Sequence, residues 1–144
     1  MGTNLLIKIG FGTPVHWKLL LNAYICGGWS VDYAGEISHL PLNDFGEYDW
    51  QYSPASEWTT IQAEMEVMFL AGQEIGVGLF NFDEDKGFTL RILSDTTVIL
   101  DAQPIPLQDR QAWIPDLNAC LSLAEPLLKL YHTNIGSIGV ECVR

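Results

Sequence analysis

The sequence predicts one α+β domain over residues 1–144, built on a mainly antiparallel sheet with about three helices. Three observations predict this fold class. A chain of 144 residues has the length of one ordinary domain and can bury a core without disulfides or metals. Several short apolar runs are separated by turn residues, as in antiparallel strands. Three longer segments carry apolar residues at three- and four-residue steps, as in helices.

The first two elements are a strand and a helix. Residues Thr3–Phe11 are rich in Leu and Ile and favour a strand. Thr13 is the predicted N-cap of a helix, because Pro14 suits the first helical position. This helix is expected over Val15–Ile25, and Gly27 follows as a C-terminal glycine cap.

A hairpin is predicted next. Polar and apolar residues alternate over Trp29–Tyr33 and again over Glu36–Leu40, with Ala34-Gly35 between them as a two-residue turn. Pro41 has no amide hydrogen to donate to a sheet, so the second strand should end near Leu40.

A second helix and an antiparallel meander follow the hairpin. Ser53 and Ser56 are candidate N-caps for a helix that runs to about Ala71. Its predicted buried stripe consists of Trp58, Ile61, Met65 and Met68, with Phe69 beside it. The three strands of the meander are expected over Glu74–Phe82, Phe88–Leu93 and Thr97–Asp101.

A third helix and a last strand complete the fold. Helical spacing over Ala112–Leu130 predicts the helix, with a kink or break near Ala124-Glu125 because Pro126 cannot donate a backbone hydrogen bond. Ile135–Val143 is the last strand. The side chains expected in the core are Trp29, Trp58, Met65, Val77, Leu79, Ile92, Leu117 and Leu121.

Charge is the most informative property of the composition. Eighteen acidic residues against seven Lys and Arg give a formal net charge of −11. No Lys or Arg lies between Lys18 and Lys86, although that interval contains twelve acids. Such a surface repels phosphate, which excludes direct binding of nucleic acid and disfavours anionic membranes. A basic protein would be attracted to it. Alternatively, the acidity serves solubility alone.

Targeting and cysteine patterns indicate a cytoplasmic protein. The N-terminal sequence does not read as a secretory signal, and the apolar runs are too short for a membrane span. Cys26, Cys120 and Cys142 are odd in number and widely spaced, so we expect buried small hydrophobic side chains and no disulfide framework.

The sequence contains no recognisable catalytic, metal or cofactor motif. Asn81-x-Asp83-x-Asp85 begins like a calcium loop, but Lys86 occupies the position where that loop needs glycine, so we expect a hairpin loop and no metal. His39 with Glu36 and Asp49 could form an acid/base site, which keeps a small enzyme open as an alternative.

A set of residues in fixed order resembles the small immunity proteins encoded beside bacterial polymorphic toxins, including those of contact-dependent growth inhibition. The set comprises Gly28-Trp29-x-x-Asp32-x-x-Gly35-x-Ile37, Leu40-Pro41-Leu42-x-Asp44, Asp49-Trp50, Gly76-Val77-Gly78-Leu79 and the late Trp113 helix. The resemblance implies a cytosolic α+β domain without catalytic residues that inactivates one cognate toxin C-terminal domain by binding it.

The acidic region between the first two helices is the predicted toxin-binding surface, and the expected toxin is a basic domain such as a nuclease. The residues of this predicted surface are Asp32, Glu36, Asp44, Glu47, Tyr48, Asp49, Trp50 and Glu57. Within this set the acids would steer the partner, while Tyr48 and Trp50 are candidate aromatic anchors, although Trp50 is equally compatible with a core position. A ligand-binding or structural domain without a protein partner remains the other alternative.

Overall fold

Eight antiparallel strands form one sheet in residues 4–83, 86–102 and 117–143, the part of the chain that this computed structural model describes. The strands are β1 (Asn4–Phe11), β2 (Asp32–Tyr33), β3 (Glu36–His39), β4 (Gln51–Pro54), β5 (Ile75–Asn81), β6 (Lys86–Ile92), β7 (Thr97–Ala102) and β8 (Ile135–Val143). Their order is β2-β3-β5-β6-β7-β1-β8, and β4 also pairs with β3. The predicted hairpin, meander and last strand are confirmed.

Three helices belong to the same described ranges, which confirms the α+β class. They are α1 (Trp17–Cys26), α2 (Trp58–Leu70) and α3 (Leu117–Tyr131), and a short 3-10 turn over Ala55–Glu57 leads into α2. None of these helices is long and apolar enough to cross a membrane.

One face of the sheet forms the core with the helices, and we call the opposite face the outer face. In β6 and β7 every second residue is buried, as expected for strands that bury one face. Of the predicted core residues, Trp29, Met65, Val77, Leu79 and Ile92 are buried. The predicted stripe of α2 is confirmed by the burial of Ile61, Met65 and Met68. Trp58, the first residue of the stripe, is only partly buried.

The turn of the β2–β3 hairpin has the predicted sequence and conformation. Ala34 and Gly35 both have positive φ, 54° and 85°, as a type I′ turn requires. The carboxylate of Asp32 accepts a 2.8 Å hydrogen bond from the Gly35 amide, which stabilises the turn.

The start of α1 differs from the prediction. His16, and not Thr13, is the N-cap, because its Nδ1 accepts a 3.1 Å hydrogen bond from the Lys18 amide. Thr13 instead donates from its amide and hydroxyl to the side chain of Asn134. The helix ends at Cys26, whose thiol is exposed, so the expectation of a buried Cys26 is wrong.

The buried face of α3 agrees only in part with the helical spacing of Leu121, Ala124 and Leu128, because Ala124 is buried and Leu128 is partly buried but Leu121 is not. Leu121 is 55% exposed, whereas Leu123, Ala124 and Leu127 are buried. A 2.7 Å hydrogen bond from the Tyr24 hydroxyl to the Leu123 carbonyl fixes this face against α1. Of the predicted kink or break, the break does not occur, because the helix continues through its internal proline, Pro126. The side chains of Leu117, Cys120 and Cys142 lie outside the described residues.

Glu66 links α2 to the start of α1. Its carboxylate accepts a 2.6 Å hydrogen bond from the buried Trp17 indole and lies 3.0 Å from His16 Nε2. Because His16 Nδ1 is already an acceptor, its neutral form carries the proton on Nε2 and donates it to Glu66. The hydrogen bonds from Trp17 and His16 hold the pKa of Glu66 below its usual value.

This lowered pKa predicts a pH-dependent contribution to stability. A carboxyl whose pKa is depressed by folding stabilises the fold above its unfolded pKa of about 4.3, and the contribution disappears as the pH falls through the lower folded pKa. We therefore expect Glu66→Gln to lower the free energy of unfolding near neutral pH and to match the wild type in strong acid. Urea unfolding across this pH range measures the difference, and a difference that does not shrink in acid would contradict the assignment.

A candidate protein-binding surface

The loop that joins β3 to β4 folds back over the outer face of the sheet. We call residues 41–50 the Asp44 loop. Its Trp50 ring lies directly over Gly76, where an added Cβ would be 2.7 Å from the ring atom Cη2. Its Tyr48 hydroxyl accepts a 2.7 Å hydrogen bond from Arg91 Nη2. Since Gly76 and Arg91 are partners in the β5–β6 register, they lie side by side and together form the surface that the loop contacts.

Tyr48 also belongs to a charged network on this surface. Its hydroxyl donates to Glu74 Oε1 at 3.0 Å, and Arg91 Nε donates to Glu74 Oε2 at 2.9 Å. Burial, followed by the interaction with Glu74, raises the pKa of Tyr48. The guanidinium of Arg91 lies 4.8 Å from the centre of the Tyr48 ring, a cation–π contact. Tyr48 and the partly buried Trp50 therefore hold the loop against the sheet, and the packing of Trp50 agrees with the alternative of a core position.

Asp44 holds the loop from within. Only 8% of the residue is exposed, and its two carboxylate oxygens accept the amides of Tyr48 and Asp49 at 2.8 and 2.9 Å. Charge-assisted bonds of this kind are stronger than neutral ones. The interpretation of Asp44 as an exposed acid is therefore wrong, and we assign it to the support of the loop.

The backbone of the Asp44 loop is strained. Asn43, Phe45 and Tyr48 have φ values of 61°, 49° and 55°, which are unusual for residues other than glycine. Asparagine tolerates this region, but Phe45 and Tyr48 each cost on the order of 1–3 kcal/mol there and persist only where surrounding contacts enforce it. Asp44, the Tyr48 network and the Trp50 contact supply that enforcement. Strain of this kind clusters at functional sites, which makes the loop the first candidate for a binding element.

The strained loop exposes an aromatic side chain. Phe45 is 76% exposed, the largest exposure among the large hydrophobic residues that the structure describes. Leu42 in the same loop and Tyr52 in β4 are exposed as well, by 43% and 69%. Phe45 is not among the site residues predicted from the sequence, although its position between the turn formers Asp44 and Gly46 indicates a loop tip.

The remaining predicted acids differ in their roles. Asp32 is exposed, but its carboxylate is engaged in the hairpin turn. Four others are exposed, and within the described ranges none of them takes part in a salt bridge: Glu36, Glu47, Asp49 and Glu57. Glu47 and Asp49 lie in the Asp44 loop, whereas Glu36 begins β3 and Glu57 ends the 3-10 turn that follows β4, so all four belong to the β3–β4 region.

A second aromatic cluster lies beside the β2–β3 hairpin. The Phe80 ring lies over Gly78 and Gly87, where an added Cβ would be 3.3 and 3.0 Å from its atoms. Tyr33 packs on Phe80 with ring centres 4.6 Å apart, and it stacks parallel to Phe82 at 6.0 Å. Tyr33 and Phe82 are largely exposed, so this cluster adds apolar surface near the acidic residues.

His39 does not form the predicted site with Glu36 and Asp49. It is buried, its Nε2 is 2.7 Å from the Ser53 hydroxyl, and its Nδ1 is 3.3 Å from the Leu40 carbonyl. A hydrogen-bonded Ser and His resemble a nucleophile and its base, but here a backbone carbonyl takes the place of the orienting carboxylate.

Potential metal ligands do not come together in the described residues. Within residues 4–83, 86–102 and 117–143, no three His, Cys, Asp or Glu side chains are placed to hold a metal ion. The loop after Asn81 connects β5 to β6 as a hairpin, as predicted, although residues 84–85 of it lie outside the described ranges.

No protein-family model, curated protein or solved structure matches this chain.

Proposed function

We propose that this protein is an immunity-type binding protein of the bacterial cytoplasm, which neutralises a basic toxin C-terminal domain through the Asp44 loop and the acids around it. The resemblance in sequence supplies the class of partner. The exposure and internal bracing of the loop support the proposed mode of binding.

The observation that carries the proposal is the exposure of Phe45 on a strained, internally braced loop. An exposed phenylalanine gains nothing from folding, and its positive φ costs stability. Both features are explained if Phe45 enters an apolar pocket of a partner, because aromatic side chains that become fully desolvated dominate binding energy. Because Asp44 and Trp50 already hold the loop in one conformation, the loop loses less conformational entropy when it binds a partner.

The acids explain why the partner should be basic. Glu36, Glu47, Asp49 and Glu57 carry exposed negative charges on β3, on the loop that carries Phe45 and on the turn that follows β4. Charges at the rim of an interface mainly accelerate association and reject like-charged partners. The net charge of −11 has the same effect at longer range.

Co-expression tests the proposal. If the gene beside this one encodes a secreted protein with a basic C-terminal domain, that domain would be produced in a bacterial host with and without this protein. We expect growth to be restored and the two proteins to co-elute in size-exclusion chromatography at equal stoichiometry. Unrestored growth together with separate elution would overturn the proposal.

Ser53→Ala separates binding from catalysis in the same assay. If protection results from binding, the variant should still protect and should lose at most the affinity of one neutral hydrogen bond, because the hydroxyl lies outside the Asp44 loop. If protection is enzymatic and uses His39 with Ser53, the variant should still co-elute with the toxin but lose protection.

A further inference from the structure

A groove of about 350 Å³ lies between the β3–β4 hairpin and α2. Leu42 and Ile61 give it apolar walls, whereas Gln51, Ser53, Glu57 and Glu64 line it with polar groups. Its volume is at the lower end of the range for small-molecule sites, which suits one long side chain better than a larger ligand.

The hydrogen bonds on the strand side leave acceptors facing the groove. The Leu40 carbonyl can only accept, so neutral His39 carries its proton on Nδ1 and accepts the Ser53 hydroxyl hydrogen at Nε2. The Ser53 oxygen then has lone pairs to offer and no hydrogen. Gln51 uses its Nε2 to donate to the Asp49 carbonyl at 3.1 Å, which leaves its amide oxygen as an acceptor.

The helix side adds two carboxylates on one face. Glu57, Ile61 and Glu64 follow at intervals of four and three residues, so they lie above one another along the start of α2. Ile61 is buried between the two acids and forms the apolar floor. The groove therefore combines an apolar floor with acceptors at its rim.

We propose that this groove receives an arginine side chain of the basic partner, an inference that rests on the proposed function. The methylene stem of arginine would pack on Ile61 and Leu42, as long cationic side chains do on apolar surfaces. Its guanidinium offers five donors and no acceptor, which matches a site lined by acceptors, and its planar fork suits two carboxylates better than the ammonium of lysine.

A titration with N-acetyl-L-arginine amide, followed by amide NMR, tests the groove without the toxin. We expect saturable shifts at Ser53, Thr60 and Glu64. The citrulline analogue has nearly the same shape without the charge and should bind at least about tenfold more weakly, because charge-assisted hydrogen bonds are lost. Equal binding of the citrulline or the lysine amide would overturn the assignment to arginine.

Paired variants place the ligand in the groove. Glu57→Gln/Glu64→Gln should weaken arginine amide binding by on the order of tenfold. Asp95→Asn/Glu141→Gln removes the same charge from exposed residues outside the groove and should leave binding unchanged. Equal weakening by both pairs would mean that net charge alone attracts the ligand, which contradicts a built site.

The toxin distinguishes failure of this inference from failure of the proposed function. If Glu57→Gln/Glu64→Gln binds the toxin as tightly as the wild type, the arginine groove is wrong while the binding function stands. If the inference is correct, the same pair weakens the complex, and the Asp95/Glu141 pair does not.

Discussion

Replacing Phe45 by alanine should weaken toxin binding by on the order of thirtyfold, which corresponds to about 2 kcal/mol, the threshold for a hot-spot residue. The expected loss is large because the exposed ring has no role in the core of the free protein and is available to a pocket of the partner. For the same reason, the free energy of unfolding should change little. Calorimetric titration with the toxin domain measures the first quantity, and urea unfolding measures the second.

Leu130→Ala is the matched control for this substitution. Leu130 is 63% exposed, but it lies on α3, which is remote in the fold from the Asp44 loop. It should change neither binding nor stability appreciably. An affinity of Phe45→Ala equal to that of the wild type would remove Phe45 from the interface and leave its strained exposure unexplained.

Gly76→Ala should destabilise the fold by about 1–3 kcal/mol, the usual cost of inserting a methyl group into a packed region. The new Cβ would lie 2.7 Å from Trp50 Cη2 and 3.1 Å from Leu40 Cγ, so the indole has to leave its seat. Because Trp50 holds the Asp44 loop, we also expect weaker toxin binding. Thermal unfolding and Trp fluorescence together measure the two effects.

Gly139→Ala is the control for the glycine substitution. Gly139 also lies in a strand, has no positive φ, and has open space within 4 Å of an added Cβ. It should leave the midpoint of thermal unfolding nearly unchanged. If Gly76→Ala were equally neutral, the contact between Trp50 and β5 would not support the loop.

The strands and helices were predictable because their signals are local. The Ala34-Gly35 turn, the tight loops of the meander and the stripe of Ile61, Met65 and Met68 each lie within one short segment. Turn-forming residues and hydrophobic periodicity within such a segment are enough to predict its secondary structure.

The exposure of Leu121 on α3 was not predictable from periodicity. Leucines occupy several faces of this helix, including the exposed Leu121 and the buried Leu127, so the apolar pattern is compatible with more than one buried face. The choice depends on the contact between Tyr24 and Leu123, which are 99 residues apart in the chain.

The candidate surface was predictable as a region but not residue by residue. Composition locates the acids, whereas the role of each acid depends on how the chain folds. The carboxylate of Asp44 accepts hydrogen bonds from two amides of its own loop. Phe45 is exposed at the tip of a loop that contacts the sheet at Gly76 and Arg91.

The central claim is that exposed acids around a braced loop attract a basic partner, and the association rate at two ionic strengths tests it most directly. The variant is Glu36→Gln/Glu47→Gln/Asp49→Asn, which leaves Asp44 intact so that the loop stays braced. The control is Asp95→Asn/Glu125→Gln/Glu141→Gln, which removes three acids near the other end of the sheet and on α3.

We expect the variant to associate with the toxin domain several-fold more slowly than the control at low salt. The difference should shrink when the Debye length falls to about 8 Å at physiological ionic strength, and the dissociation rate should change less. An association rate equal to that of the control at low salt would contradict the account.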